Sequence, residues 1–423
     1  MNRYILSAIL LMIMSISTQA ENLDTNMTKA VHDPIKIKSV RGILGEYVLM
    51  EHVKGQLRGG YITFSEDDAS RTNAYALGGH YHFNTKRWNG LMIGSEAYAV
   101  LDLGINQNPL DQNGDFLNKN NESFILLSQI YLNGTWGNTE MTLGRQTLDT
   151  PHADSDDIRM LPNYFEAYTL TNTDIEALTL NVGLIDKMAG WENGVDSAKF
   201  VDVGQTLGLN ADMDGIYYAS AMYEGIKDLS LSLWYYHYSD IANIFYAEAG
   251  YTHAFSNDTT LTLGLQYDSS HETGAALLGL QDANTYGVSI EVDFSSLGLT
   301  VLAAYNKDNG STGATGLSLG GGTFFTSMED QTLDAIGSEG KAWMIGAGYD
   351  LENIGIQGLN VGLAYGDFQS NDASGYASHE LDAVLEYTHN EKFSFTAAAA
   401  FVEFNTPYIQ DYTQFRLVGN YNF

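Results

Sequence analysis

The C-terminal segment Thr413–Phe423 sets the strongest constraint on the fold. Phe415, Leu417, Gly419, Tyr421 and Phe423 fall on one side of an extended chain, and Gln414, Arg416, Val418, Asn420 and Asn422 on the other. Strand side chains alternate with period two, so this is a strand with one apolar and one polar face. The pattern recurs. Leu261, Leu263, Leu265 and Tyr267 oppose Thr262, Gly264, Gln266 and Asp268; Tyr286, Val288, Ile290, Val292 and Phe294 oppose Gly287, Ser289, Glu291 and Asp293. A soluble β-sandwich also alternates, but its strands are usually about 5–6 residues long. These segments run about 9–12 residues, the length a tilted strand needs to cross a bilayer. Their polar side stays polar throughout, and Tyr, Phe and Trp gather near the ends of the apolar side, as in an aromatic girdle.

Eighteen such segments fit between residues 56 and 423. The connections test that count, because a membrane barrel alternates long extracellular loops with tight periplasmic turns. The turn slots are 84–89, 134–138, 172–176, 224–228, 255–257, 295–296, 351–357 and 389–391, and none exceeds seven residues. The long connections, 103–122, 147–163, 188–212, 270–282 and 307–340, all fall in loop slots. Pro34, Pro109, Pro151, Pro162 and Pro407 all lie outside the segments, as expected for a residue that cannot donate to a ladder. The expected fold is all-β: a transmembrane antiparallel barrel of about 18 strands.

The N-terminus reads separately. Arg3 precedes a nearly unbroken apolar run from Ile5 to Met14, and Thr18 and Ala20 suit cleavage, so residues 1–20 read as a signal peptide. No later stretch is apolar for 18 consecutive residues, the minimum for a membrane-spanning helix. Residues 21–55 are expected as a short periplasmic or lumenal segment, too short for a plug domain, and 56–423 as the barrel. Composition narrows function further. The net charge of −32 opposes nucleic-acid binding, and the absence of Cys excludes disulfides, thiolate metal sites and a Cys nucleophile. Apolar content of 44% is too high for a disordered acidic chain.

Several stretches resemble one family. Gly55-Gln56-Leu57-Arg58-Gly59-Gly60-Tyr61 looks like a first strand, and Gly78-Gly79-His80-Tyr81-His82-Phe83-Asn84-Thr85 with Asn89-Gly90 like a first hairpin. The most specific run is Leu143-Gly144-Arg145-Gln146-Thr147-Leu148-Asp149-Thr150-Pro151, followed by Asp156-Asp157-Ile158-Arg159-Met160-Leu161-Pro162-Asn163-Tyr164-Phe165-Glu166-Ala167. These resemble the OprD-like outer-membrane porins, particularly the Opr-type porins of Epsilonproteobacteria. The clear match covers roughly residues 55–187 and the C-terminus, where Phe423 resembles the terminal aromatic read by barrel-assembly machinery. The resemblance implies an 18-stranded barrel and a third extracellular loop, 147–163, that folds inward to narrow the channel.

That loop carries Asp149, Asp154, Asp156, Asp157 and Arg159 between Pro151 and Pro162, with Arg145 at the strand end before it. Charges over a narrow aqueous gap set the field an ion crosses, so these six are the expected constriction. Arg159 either faces solute or pairs with an acid. Arg145 shares the phase of Met141 and Leu143, so a bulge is expected there. The polar phase places Glu96, Glu248, Asp268, Glu291, Asp293, Asp382, Glu386, Arg58 and Arg416 in the lumen, since a charge facing lipid costs up to several kcal/mol. Family members that take up carboxylates line the pore with arginines. Here only Arg41, Arg58, Arg71, Arg87, Arg145, Arg159 and Arg416 follow the leader, so cation preference is expected instead. Asp154, Asp156 and Asp157 lack the EF-hand spacing for Ca²⁺, and His80 and His82 share one strand face without a metal motif. No cofactor is implied.

The leading reading is a passive outer-membrane porin for small hydrophilic solutes and cations. Its expected partners are outer-membrane lipid and lipopolysaccharide and the assembly machinery. A homotrimer is the default for general porins and a monomer stays open. The alternatives are a substrate-specific or gated channel, with 21–55 as a hatch, and an outer-membrane barrel enzyme. No G-x-S-x-G elbow or phosphate loop marks the latter.

Overall fold

The computed structural model describes residues 50–66, 71–106, 116–256, 258–371, 375–406 and 409–423. The expected leader and most of the 21–55 segment lie outside them. Eighteen long antiparallel strands form the wall. They are β1 (Met50–Glu66), β2 (Thr72–Thr85), β3 (Leu91–Leu101), β4 (Phe124–Trp136), β5 (Thr139–Gln146), β6 (Tyr164–Asn172), β7 (Leu178–Ala189), β8 (Ile216–Ile226) and β9 (Leu229–Tyr238). Then follow β10 (Ala242–Ser256), β11 (Thr259–Glu272), β12 (Asp282–Phe294), β13 (Leu299–Asp308), β14 (Gly340–Asp350), β15 (Leu359–Ser370), β16 (Ala377–Asn390), β17 (Phe393–Phe404) and β18 (Tyr412–Asn422). Each matches one expected segment. The first begins at Met50, ahead of the expected 56, so residues 50–55 belong to the wall.

Each strand pairs with its sequence neighbours, and β1 also pairs with β18, with Gly59 opposite Gly419, which closes the barrel and leaves no edge. Phe423 completes the seam. Its N–H donates to Gly55 O at 2.9 Å, and the Gly55 N–H returns the bond to Phe423 O at 3.0 Å. Its ring occupies the space a Cβ on Gly55 would need, which explains a glycine at the start of the first-strand motif.

The wall is inside-out relative to a soluble protein. On β11, Leu263 and Leu265 are 39% and 60% exposed, while Gln266 and Asp268 are 5% and 0% exposed. On β12, Tyr286, Val288 and Ile290 are exposed and Thr285 is buried. Apolar residues outside and polar ones inside suit a wall solvated by lipid, with every backbone group paired along the closed sheet.

The barrel is not an empty tube. Loop 3 (residues 147–163) and loop 7 (residues 309–339) enter it and bury apolar side chains against its inner wall. Leu148 and Ala153 of loop 3 pack with Leu317 and Leu319 of loop 7 on the lumenal aromatics Tyr218, Trp234, Tyr236, Tyr238 and Tyr246. Met160 and Leu161 pack with Phe116 and Leu117 on β1 to β4. Phe324, Leu333 and Ile336 of loop 7 pack on Ala342 and Phe368. The polar phase therefore lines only the part of the lumen that the loops leave open.

Candidate functional site

Loop 3 starts as a tight hairpin, with Asp149–Thr150 paired to Ala153–Asp154. Thr150 Oγ1 accepts from the Ala153 N–H at 3.1 Å and donates to Ala153 O at 3.0 Å. His152 at the tip is fully buried, its Nε2 2.8 Å from Asp268 Oδ2 on β11. Thr315 Oγ1 of loop 7 donates to the other Asp268 oxygen at 2.6 Å. Asp268 thus ties both loops to the wall. The loops also join each other: the Leu319 N–H donates to His152 O at 2.9 Å and the Asp154 N–H to Leu319 O at 3.3 Å.

The other end of loop 3 is held by β1. Both terminal nitrogens of Arg58 bond Asp157, Nη2 to Oδ2 at 2.7 Å; Nη1 also donates to Arg159 O at 2.8 Å, and Nε to Asn420 Oδ1 at 2.7 Å. A planar fork on a carboxylate fixes direction as well as distance. Between these anchors, Asp156 takes a left-handed φ of 33° and donates its N–H to Asp154 Oδ1 at 3.0 Å. Trp191 Nε1 donates to Asp156 O at 2.9 Å, and the buried Arg159 guanidinium lies 5.1 Å from the centre of the Trp191 ring. Burial first, then the Asp154 carboxylate, push the Asp156 carboxyl above its ordinary pKa.

Loop 7 is fixed by backbone donors on wall carboxylates. The N–H groups of Glu329, Asp330 and Gln331 donate to Asp382 Oδ2 (3.1 Å), Glu380 Oε1 (2.9 Å) and Glu380 Oε2 (2.6 Å). Arg416 Nη2 donates to Glu329 Oε2 at 2.6 Å, and Gln414 Nε2 to Asp330 Oδ1 at 2.9 Å. Burial raises the Asp330 carboxyl to about 6 against the opposing pull of Arg159.

Three cavities follow one another through the lumen. The uppermost, about 360 Å³, lies among loops 3, 4 and 7 and is lined by Asp156, Arg159, Glu192, Glu329, Asp330 and Asp334. The second, about 560 Å³, shares with it Asp156, Ile158, Gly322, Met328 and Glu329, so the two meet where loop 3 faces loop 7. It runs down a wall of Leu302, Met344, Gly346, Gly348, Gly362, Ala364 and Val384, with Asp382 at one side. The third, about 520 Å³, shares Thr300, Gly348, Gly362 and Val384 and opens at the turns beside Asp293, Asp350 and Glu386. Acidic groups line all three, and Arg159 is the one Arg or Lys among their lining residues.

The remaining expected residues fall in several places. Asp149 and Asp154 line a side cavity with Glu248, whose carboxylate takes the Tyr246 hydroxyl. Glu291 is exposed on the lumenal side of β12. Glu96 is buried. Its Oε1 accepts from Tyr164 (2.7 Å) and Ser128 (2.8 Å), and its Oε2 lies 3.4 Å from His82 Nδ1 and 4.0 Å from His80 Nε2. Arg145 corrects the expectation for it. Strand β5 pairs with both neighbours without a bulge, so Arg145 keeps the outward phase of Met141 and Leu143. It bonds Glu166 at 3.2 Å and lies 4.1 Å from the Phe200 ring centre, away from the loop 3–loop 7 gap. The irregularities lie in the neighbouring ladders, at Glu96/Ala97 and Glu166/Ala167. Its neighbour Gly144 is required by geometry: φ is 120° and a Cβ would strike Ile130 O. Among the described residues, no three His, Asp or Glu side chains converge as metal ligands, Asp154, Asp156 and Asp157 included.

The sequence shows 307–340 as a long loop but does not show that it folds inward, nor the roles of its acids Glu329, Asp330 and Asp334 and of the wall residue Glu380 that receives it. The signal available was the length of 307–340, the longest connection, holding the adjacent acids Glu329-Asp330.

A closed eighteen-stranded barrel, apolar outside and acidic along an interior path framed by inward loops, is a porin-type channel. Residues 132–423 match the model for outer membrane porins of the OprD family, and the chain belongs to that family, whose members are outer-membrane β-barrels. No curated protein matches the sequence. Solved structures share the fold at low identity. Pseudomonas aeruginosa OccK8 (OprE) is 19% identical with a TM-score of 0.74, covering 88% of this chain and 97% of that one. P. aeruginosa OpdK, solved with vanillate, is 19% identical with a TM-score of 0.75, covering 88% and 99%. Acinetobacter baumannii OccAB3 is 17% identical with a TM-score of 0.76, covering 88% and 98%.

Proposed function

We propose that the chain is a cation-preferring outer-membrane channel for small hydrophilic solutes. In this reading the narrowest zone lies between Asp156 and Ile158 of loop 3 and Gly322, Met328 and Glu329 of loop 7. The observation that carries it is the sharing of these five residues by two successive cavities. The field argument supports the sign. Arg58 and Arg416, the basic lumenal candidates, are each bound to a loop carboxylate, leaving an excess of acids along the path. Diffusion through such a path requires no catalytic group. Export by residues 1–20 and recognition of Phe423 during assembly belong to the same reading.

A solute-selective channel is the second reading. It is favoured by the uncharged wall of Leu302, Met344, Val384 and glycines beneath the narrow zone, where a non-selective pore needs no apolar surface. Planar-bilayer recording of the refolded protein across a KCl gradient tests the first. Conductance steps with a reversal potential on the cation side, weakened by Asp156→Asn with Glu329→Gln, are expected. A correctly folded barrel that is silent or anion-selective would sink the proposal. Saturable flux of a particular small organic solute at low KCl conductance would favour the second reading.

A further inference from the structure

Lys307 and Lys341 lie directly opposite each other on β13 and β14. Two residues nearer the strand centres, the next rung on the same face is Tyr305 opposite Trp343, 39% and 37% exposed. Strand alternation therefore puts both lysines on the outer wall, and both stand at the loop ends of their strands. Like charges facing each other across a ladder repel. Glu339, two residues before Lys341, instead accepts from Asn371 Nδ2 at 3.3 Å. No ion pair or hydrogen bond joins either lysine side chain to another described residue. The nearby outward acid Asp367 is taken by His379 Nδ1 at 2.8 Å and Gln369 Nε2 at 3.2 Å. Other basic groups near outer loop ends have protein partners: Arg145 and Lys187 share Glu166, each at 3.2 Å, and Arg71 donates to Thr63 Oγ1 at 2.7 Å.

We propose that the Lys307–Lys341 pair binds a phosphate group of an outer-leaflet glycolipid. The inference rests on the membrane orientation of the wall and not on what passes through the channel. Long lysine stems reach the headgroup level while the charges stay in the polar zone. Side chains opposite each other on a sheet start about 4.5–5.5 Å apart, so two ammonium groups can close on one phosphate, whose charge removes their repulsion. Below them Trp343 and Tyr365, with ring centres 5.8 Å apart, offer an aromatic surface to the sugar and upper acyl chains.

The test uses the refolded full barrel in detergent. It is titrated with bisphosphorylated lipid A, with the same lipid dephosphorylated, and with inorganic phosphate. The readouts are bound mass in native mass spectrometry and the thermal unfolding midpoint. Only the phosphorylated lipid is expected to stay bound and raise the midpoint. Lys307→Gln with Lys341→Gln is expected to weaken its binding roughly tenfold to thirtyfold, the scale of two lysines on an anionic headgroup. Lys307→Arg with Lys341→Arg is expected to keep it. An equal midpoint shift from inorganic phosphate would reassign the pair to free anions and overturn the lipid site. Equal binding of the dephosphorylated lipid, or unchanged binding by the glutamine variant, would overturn it too. Bilayer conductance of the same samples is expected to be unchanged by either double variant. A silent wild-type channel that still binds the phosphorylated lipid would count against the porin reading alone.

Discussion

Arg416 Nη2 donates to Glu329 Oε2 at 2.6 Å, joining the last strand of the barrel to an acid of loop 7 that lines two successive cavities. Arg416 is buried and Glu329 half-buried, so the pair is only partly screened by water. Removing the guanidinium leaves Glu329 without its partner and frees that edge of loop 7. Arg416→Gln is expected to lower stability by about 2–4 kcal/mol, toward the range for breaking a buried ion pair. It is also expected to increase open-channel current noise while shifting the reversal potential further to the cation side. A quiet channel with unaltered selectivity would show that the remaining bonds and packing hold loop 7 without Arg416.

The wall was legible because its physics is local. Thr413–Phe423 or Tyr286–Phe294 declares a strand, its two faces and its membrane length within a dozen residues. The alternation of short turns and long loops then fixes the strand count. The interior was less legible because it depends on contacts between distant residues. Asp268 has the lumenal phase expected of a solute-facing acid, yet His152 and Thr315, 116 and 47 residues away in sequence, bury it completely. Arg58 has the same history with Asp157. Arg145 differs: its strand phase points outward, and the regular register on both sides leaves no bulge to turn it into the lumen.

Asp268 also gives a stability prediction. His152 and Asp268 are both fully buried, and Thr315 shares the carboxylate. Asp268→Ala removes the acceptor and leaves a ring nitrogen and a hydroxyl without their partner in the core. The expected loss is about 2–5 kcal/mol, the cost of leaving two buried polar groups unsatisfied. Chemical denaturation of the folded barrel reads it, and a loss below 1 kcal/mol would mean that water replaces the bond.

Three glycines of the lumenal wall predict pore size. Gly346, Gly348 and Gly362 have no positive φ, and an added Cβ would meet nothing closer than 3.4 Å. Neither backbone nor packing demands glycine there, although glycine weakens a strand interior. Gly366 differs, since Met328 packs where its Cβ would lie. Gly362→Val is expected to fold, to reduce K⁺ conductance modestly, and to reduce the flux of larger organic cations much more. Equal reduction for all cation sizes would place the limiting radius elsewhere.

The Asp330 carboxyl predicts a pH response. Burial raises it to about 6; Arg159 and Arg416 oppose that rise, while Glu329 and Asp382 add to it, and Gln414 donates to both its oxygens. An acid shifted upward carries its charge only above its folded value. Cation preference should therefore be full near pH 8 and fall as pH drops through 6. The stability sign is opposite to that of a salt-bridged acid. Between about 6 and the ordinary value of 3.8 the folded state holds a proton that the unfolded chain releases, so this group favours folding as pH falls across that window. His80 and His82 also face the lumen, so the wild-type profile alone does not isolate Asp330. Asp330→Asn does. Reversal potentials in a KCl gradient, recorded from pH 8 to pH 5, should lose the component centred near 6 in this variant and keep the rest. Identical profiles in the two proteins would remove Asp330 from the field that permeating ions cross.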